Sequence, residues 1–194
     1  MLLYLHGFRS SPGAAKALAL QAALEADGLA GEWACPQLSP VPDEALAEAA
    51  ALIEAARQRG EAITLLGSSL GGHYASCLAE RYRLPAVLIN PAVIARLDLG
   101  LFIGRHSHFH NGEFFDFTAE HAAQLLAQVP AQLSRELYWL LLAGDDEVLD
   151  PRQAEACYAG CRQNVLADGG HGFTHFDAFI PAIVAEHRQR LSKA

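Results

Sequence analysis

The chain has 194 residues, 52% of them hydrophobic and 19% charged, with a formal net charge of −8 at pH 7. That length suits one domain with a substantial core, and the apolar excess, much of it alanine, argues for packed helices rather than disorder. The acidic balance gives no footprint for nucleic acid, and no apolar run is long enough to cross a bilayer, so neither a nucleic-acid nor a membrane partner is expected.

Met1-Leu2-Leu3-Tyr4-Leu5 is too short for a signal-peptide core, has no basic region before it and stops at His6-Gly7 without a cleavage pattern. It reads as a buried strand, and the expected location is cytoplasmic. The glycine- and serine-rich turn His6 to Gly13 follows, ahead of a helix from Ala14 to about Asp27 that Gly28 ends. Trp33 to Pro36 reads as a short strand. Pro36, Pro40 and Pro42 punctuate the next crossing, and Asp43 and Glu44 open a helix with apolar Leu46, Ala49, Ile53 and Ala56, stopped at Gly60.

Ile63-Thr64-Leu65-Leu66 then meets Gly67-Ser68-Ser69-Leu70-Gly71, with a helix-compatible stretch from Tyr74 to Arg81 beyond. Strand, sharp turn and helix are the context that a Gly-x-Ser-x-Gly nucleophile elbow needs. The tight reversal lifts the Ser69 hydroxyl off the sheet edge, so its neighbours two positions away must be very small. A bare Gly-x-Ser-x-Gly is a weak signal, shared with tight turns and phosphate cradles; no Lys-Ser or Lys-Thr follows to favour the latter. The Leu70 N–H, next after the nucleophile, is the first candidate oxyanion donor, and the Phe8 N–H, after the first strand, is the second. His6 is read as organising its loop.

Pro85 to Pro91 and Leu137 to Ala143 are further buried strands; a helix around Gln153 to Tyr158 and a short strand at Asn164-Val165-Leu166 follow. Continuous apolar strands alternating with helices predict an α/β fold, a mostly parallel sheet with helices on both faces and ligands at the carboxyl ends of the strands. Residues 92–135 interrupt that rhythm as a cap-like insertion in a single domain spanning residues 1–194. Phe109, Phe114 and Phe115 within it are candidate substrate-binding residues of a lid or pocket wall; alternatively the rings only pack the insertion down. His106, His108 and His110 alternate in a way that could converge on zinc, but no second cluster supplies further ligands, and a histidine-rich polar loop is preferred. Cys35, Cys77, Cys157 and Cys161 read as reduced and mostly buried.

A serine nucleophile needs a base, and the base an orienting acid. His171, in the loop Asp168-Gly169-Gly170-His171 after the last strand, is the candidate base ahead of His175; His73 sits in the elbow helix and need not face the hydroxyl. Asp145, Asp146, Glu147 and Asp150 compete as the acid. Asp146 is favoured by the aliphatic pair that follows Glu147, with Asp145 second, and Asp150 before Pro151 reads as a helix cap. The order Ser, Asp, His is that of α/β-hydrolase scaffolds.

Leu3-Tyr4-Leu5-His6-Gly7-Phe8, Gly67-Ser68-Ser69-Leu70-Gly71-Gly72, Asn90-Pro91-Ala92-Val93, the Asp146 to Asp150 loop and Gly169-Gly170-His171 together resemble the YqiA-like family of small bacterial α/β-hydrolase esterases over nearly the full length. The glycine pair meets the histidine directly, where the family has a residue between. The resemblance implies a compact hydrolase acting on small acyl esters, with a triad on Ser69, Asp146 and His171 and no cofactor. An acyl-CoA thioesterase is the neighbouring reading, with Arg9, Lys16, Arg96 and Arg105 as cations for the leaving group. A non-catalytic binding protein on the same fold and a metal-dependent hydrolase centred on the histidine loop are the others.

Overall fold

The computed structural model describes residues 1–193. Its main sheet is wholly parallel, in the order β2-β1-β3-β4-β7-β8: β1 Leu2–Leu5, β2 Trp33–Ala34, β3 Thr64–Ser68, β4 Ala86–Ile89, β7 Tyr138–Ala143 and β8 Arg162–Leu166. The four strands from β1 to β7 are buried at every residue. Strands covered on both faces have no need of polar alternation, and for that reason their sequences are unbroken apolar runs.

Period-two geometry divides those side chains between two cores. Leu3, Leu5 and Leu65 point to one face, under α2 (Pro42–Gln58) and α3 (Leu70–Tyr82). Leu2, Tyr4 and Leu66 point to the other, under α1 (Ala15–Ala26) and α6 (Ile180–Leu191). Each fully buried leucine contributes about 1.5–3 kcal/mol. Helix ends follow their sequence signals. Pro42 opens α2 with Asp43 and Glu44 in its first turn, and the Asp150 side chain accepts from the Arg152 N–H at the start of α5 (Pro151–Cys157).

Residues 92–135 hold more order than the sequence reading assigned. Two 3₁₀ turns, Ile94–Arg96 and Leu99–Phe102, lead into an antiparallel hairpin of β5 (Gly104–Ser107) and β6 (Phe114–Phe117), followed by α4 (Ala119–Ala127). Thr118 and His121 form a reciprocal capping box at the start of α4. Phe117, Ala122 and Leu125 are buried against the α2 and α3 core.

The cysteines need one correction. All four are free thiols, but only Cys77 is buried; Cys157 is exposed, and Cys35 and Cys161 are half-buried. Among the described residues, no helix is long and apolar enough to cross a membrane.

Candidate active site

The chain leaves β1 toward the β2 edge, then returns past β1 to β3 and builds outward through β4, β7 and β8. The direction of winding reverses between β1 and β3, and a crevice opens outside the carboxyl ends of strands at such a point. Leu5 pairs with Gly67, so the His6-Gly7-Phe8 turn and the Ser69 elbow leave the sheet side by side.

Glycines allow this closeness. A Cβ on Gly67 would lie 2.7 Å from the Gly72 Cα, one on Gly71 2.6 Å from the His6 carbonyl oxygen, and one on Gly7 3.2 Å from the Ser69 Cβ. Ser69 itself has φ 57° and ψ −121°, a strained conformation for a residue with a side chain. It occupies the N-cap position of α3, yet its hydroxyl makes no capping bond. Instead Oγ lies 3.0 Å from His171 Nε2.

The other ring nitrogen, Nδ1, is 2.9 and 3.0 Å from the two Asp146 carboxylate oxygens. That contact puts the Nδ1 proton toward Asp146 and leaves Nε2 to accept from the serine hydroxyl. The Asp146 side chain is 1% exposed and that of His171 23%. Burial alone would raise the Asp146 pKa, but bonds from His171 and from the Leu149 and Val148 N–H groups, each at 2.9 Å, outweigh it and hold the carboxyl below its ordinary value.

This depression has a stability consequence of definite sign. A carboxyl whose pKa is lower folded than unfolded stabilises the fold fully above its ordinary pKa, near 4, and loses that contribution as pH falls through the folded value. Asp146→Asn should therefore melt below wild type at pH 7, and the gap should shrink as melting is repeated from pH 5 to pH 3. A gap independent of pH would contradict the reading of Asp146 as a hydrogen-bonded carboxylate.

His171 sits in a loop held from three directions. Asn90, buried at the end of β4, donates from Nδ2 to the Gly170 and His171 carbonyls at 3.0 and 3.1 Å and accepts from the Ala143 N–H at 2.9 Å. Asp145 accepts from the Gly170 N–H at 2.8 Å, and Glu147 from the His171 N–H at 2.9 Å. Lys16 Nζ donates to the Gly172 carbonyl at 2.7 Å. Asn90 was not singled out as a site residue from the sequence; its place at the carboxyl end of a central strand was the available signal.

The remaining candidates separate clearly. His175 pairs with Asp168 at 3.0 Å. His73 is buried against Cys77 and Tyr74, with burial pulling its pKa down to about 4. His6 spans its turn: Nδ1 is 3.0 Å from the Gly7 carbonyl, and Nε2 accepts from the Leu38 N–H at 3.1 Å. The N–H groups of Phe8 and Leu70 appear in none of the hydrogen bonds between backbone groups of the described residues outside regular elements. Both residues line the cavity that opens over Ser69 and His171.

That cavity is about 390 Å³, with Ile94, Leu97, Leu99, Phe102, Phe117 and Leu125 among its apolar walls. Of the three phenylalanines expected there, Phe109 lines it, while Phe114 and Phe115 do not. Phe114 is on the outer face of the hairpin, 64% exposed, with the Arg105 guanidinium 4.3 Å from its ring centre. Phe115 is on the inner face, packed edge-on against Phe8. Arg9 is the one of the four suggested cations that lines the cavity. His106 engages the Phe102 carbonyl at 2.7 Å, and His108 stacks near Phe115 and His110. Among the described residues, no group of three or more His, Cys, Asp or Glu is placed to hold a metal ion.

A parallel sheet wound both ways from β1, with a serine on a strained strand-to-helix turn over its carboxyl edge, defines an α/β-hydrolase architecture. The chain belongs to the family described as Uncharacterised protein family UPF0227, whose model matches residues 1–187; this is the YqiA-like family that its motifs resemble. Solved structures share the fold at low identity. Est1E from Butyrivibrio proteoclasticus aligns with a TM-score of 0.68 at 14% identity, over 98% of this chain and 88% of its own. Alpha/beta hydrolase domain-containing protein 10 from mouse gives 0.65 at 14%, over 95% and 89%. A structure from the work on LipS and LipT, two metagenome-derived lipolytic enzymes, gives 0.64 at 18%, over 97% and 93%.

Proposed function

We propose that this chain is a serine hydrolase that cleaves carboxylic esters of small molecules through an acyl-enzyme. The observation that carries the reading is the unbroken row from Ser69 Oγ through the His171 ring to the buried Asp146 carboxylate. In the first half-reaction His171 Nε2 takes the hydroxyl proton while Oγ bonds to the substrate carbonyl carbon, and the carbonyl electron pair moves onto its oxygen. The Leu70 and Phe8 N–H groups receive that oxyanion. Collapse expels the alkoxide, which leaves as the alcohol with the proton from Nε2. In the second half-reaction water gives its proton to Nε2, attacks the acyl carbon and releases the acid, returning the proton to Ser69. Asp146 stays ionised and holds the imidazolium.

Residues 92–135 act in this scheme as a cap-like wall. Their apolar side chains line the cavity beside the nucleophile and supply a surface for the acyl or alcohol moiety. One Est1E structure carries bound ferulic acid, and an aromatic acid of that kind suits an apolar cavity of this size.

A fluorophosphonate probe tests the proposal at the reacting atom. Labelling should occur once per chain, at Ser69, and Ser69→Ala should abolish it. Failure of the native protein to take the label while remaining folded would refute the assignment.

A further inference from the structure

Resting on that hydrolase reading, we propose that Arg9 is a positioning residue: it clasps the hairpin of residues 104–117 onto the oxyanion turn and thereby fixes the Phe8 N–H.

The turn from Gly7 to Ser10 closes with the Ser10 N–H on the Gly7 carbonyl at 3.2 Å. Its third residue, Arg9, has φ 64°. Glycine or asparagine is the unstrained choice at such a position. A long charged side chain there is explained by what it reaches.

Four contacts join this single residue to the hairpin loop. The Arg9 carbonyl accepts from the Phe109 N–H at 2.9 Å, Nε donates to the Ser107 carbonyl at 2.7 Å, and Nη2 donates to Ser107 Oγ at 3.1 Å. The guanidinium carbon lies 4.3 Å from the centre of the Phe109 ring. Only a flat fork of donors can bridge a carbonyl and a hydroxyl while stacking on a ring, and lysine cannot do all three.

The preceding residue is gripped by the same hairpin. The Phe8 ring meets His106, Phe115 and Phe117 edge-on, with centroids 5.0, 5.4 and 5.6 Å away. Hydrophobic packing holds the Phe8 ring from one side and the arginine fork holds the next peptide from the other. The hairpin and the oxyanion turn are thus one mechanical unit, and the N–H between Gly7 and Phe8 cannot drift unless the clasp opens. An N–H that wanders by about 1 Å forfeits much of its stabilisation of a developing oxyanion, an effect of about 100-fold in rate.

The test compares wild type, Arg9→Gly and Arg9→Lys in ester turnover, melting temperature and affinity for an alkyl trifluoromethyl ketone, which binds serine as an oxyanion. Arg9→Gly suits the positive φ, which offsets part of the lost contacts, and should remain fully folded at the assay temperature. It should nevertheless lose about 10–100-fold in kcat and a similar factor in ketone affinity, with KM changed by less than about threefold. Arg9→Lys should recover part of the loss. Unchanged kcat and ketone affinity, or a rise in KM with kcat held, would overturn the proposal, the second by making Arg9 a substrate contact. So would a melting temperature that falls in step with kcat in both variants. A native protein without ester turnover or fluorophosphonate labelling defeats the hydrolase reading first and this one with it, whereas an active, labelled protein insensitive to Arg9 defeats this one alone.

Discussion

Ser69→Ala is expected to lower kcat for a chromogenic short-chain ester by about 10⁴–10⁶-fold, as removal of a triad nucleophile does elsewhere. Folding should be untouched. The Ser69 hydroxyl caps nothing in α3, and among the described residues its one side-chain bond is to His171 Nε2, so deletion costs the fold little. Ser69→Gly makes a sharper comparison. Both variants lack the nucleophile, but only glycine relieves the strain of φ 57°, ψ −121°. Glycine also gives the unfolded chain more freedom, which offsets part of the gain. The balance should leave Ser69→Gly more stable than Ser69→Ala by about 1 kcal/mol, measured by thermal melting. Equal turnover in Ser69→Ala and wild type would end the proposed mechanism. A less stable Ser69→Gly would deny that the elbow stores strain.

The elbow was legible because sterics write it into the sequence: where a strand must reverse into a helix against a neighbouring strand, glycine is the only residue that fits. The candidate acid was harder to choose, since Asp145, Asp146, Glu147 and Asp150 stand almost together. Three of the four carry other tasks. Asp145 holds the Gly170 N–H, Glu147 holds the His171 N–H, and Asp150 caps α5. Such a division of labour follows only from where the His171 loop lies, which no local pattern encodes. The choice of Asp146 rested on the residues after it.

The hairpin was not legible. Its strands are four residues each, and their alternation is hidden by histidines that read as a polar loop. Once β6 is known, period two decides the aromatic side chains: adjacent Phe114 and Phe115 must face opposite ways, so both could never line one cavity. Arg9 was noted only as a charge near a mouth. Its role as a clasp depends on contacts with residues about a hundred positions away and on a positive φ at a non-glycine residue, neither of which composition reveals.

Gly71→Ala should be the most damaging single methyl in the protein. A Cβ there would overlap the Leu5 carbonyl group and stand 2.6 Å from the His6 carbonyl oxygen, so every obstacle is backbone. No rotamer change relieves such a clash. Either α3 moves away from β1, opening a core that includes Leu3, Leu5, Tyr74 and Leu78, or β1 shifts along β3 and breaks the pairing of Leu5 with Gly67. Overpacking by a methyl group usually costs about 1–3 kcal/mol where side chains can adjust, and this site should exceed that range. Against a total stability of about 5–15 kcal/mol the variant should be largely unfolded or insoluble near 37 °C. Gly31→Ala is the matched control. It adds the same methyl where nothing lies within 4 Å and φ is ordinary, and should melt within about 1 kcal/mol of wild type. Urea titration of the two variants would separate the explanations. Similar midpoints for Gly71→Ala and Gly31→Ala would mean that α3 and β1 do not approach closely enough to set Ser69 beside the Gly7-Phe8 turn, and the geometry of the proposed site would fall with them.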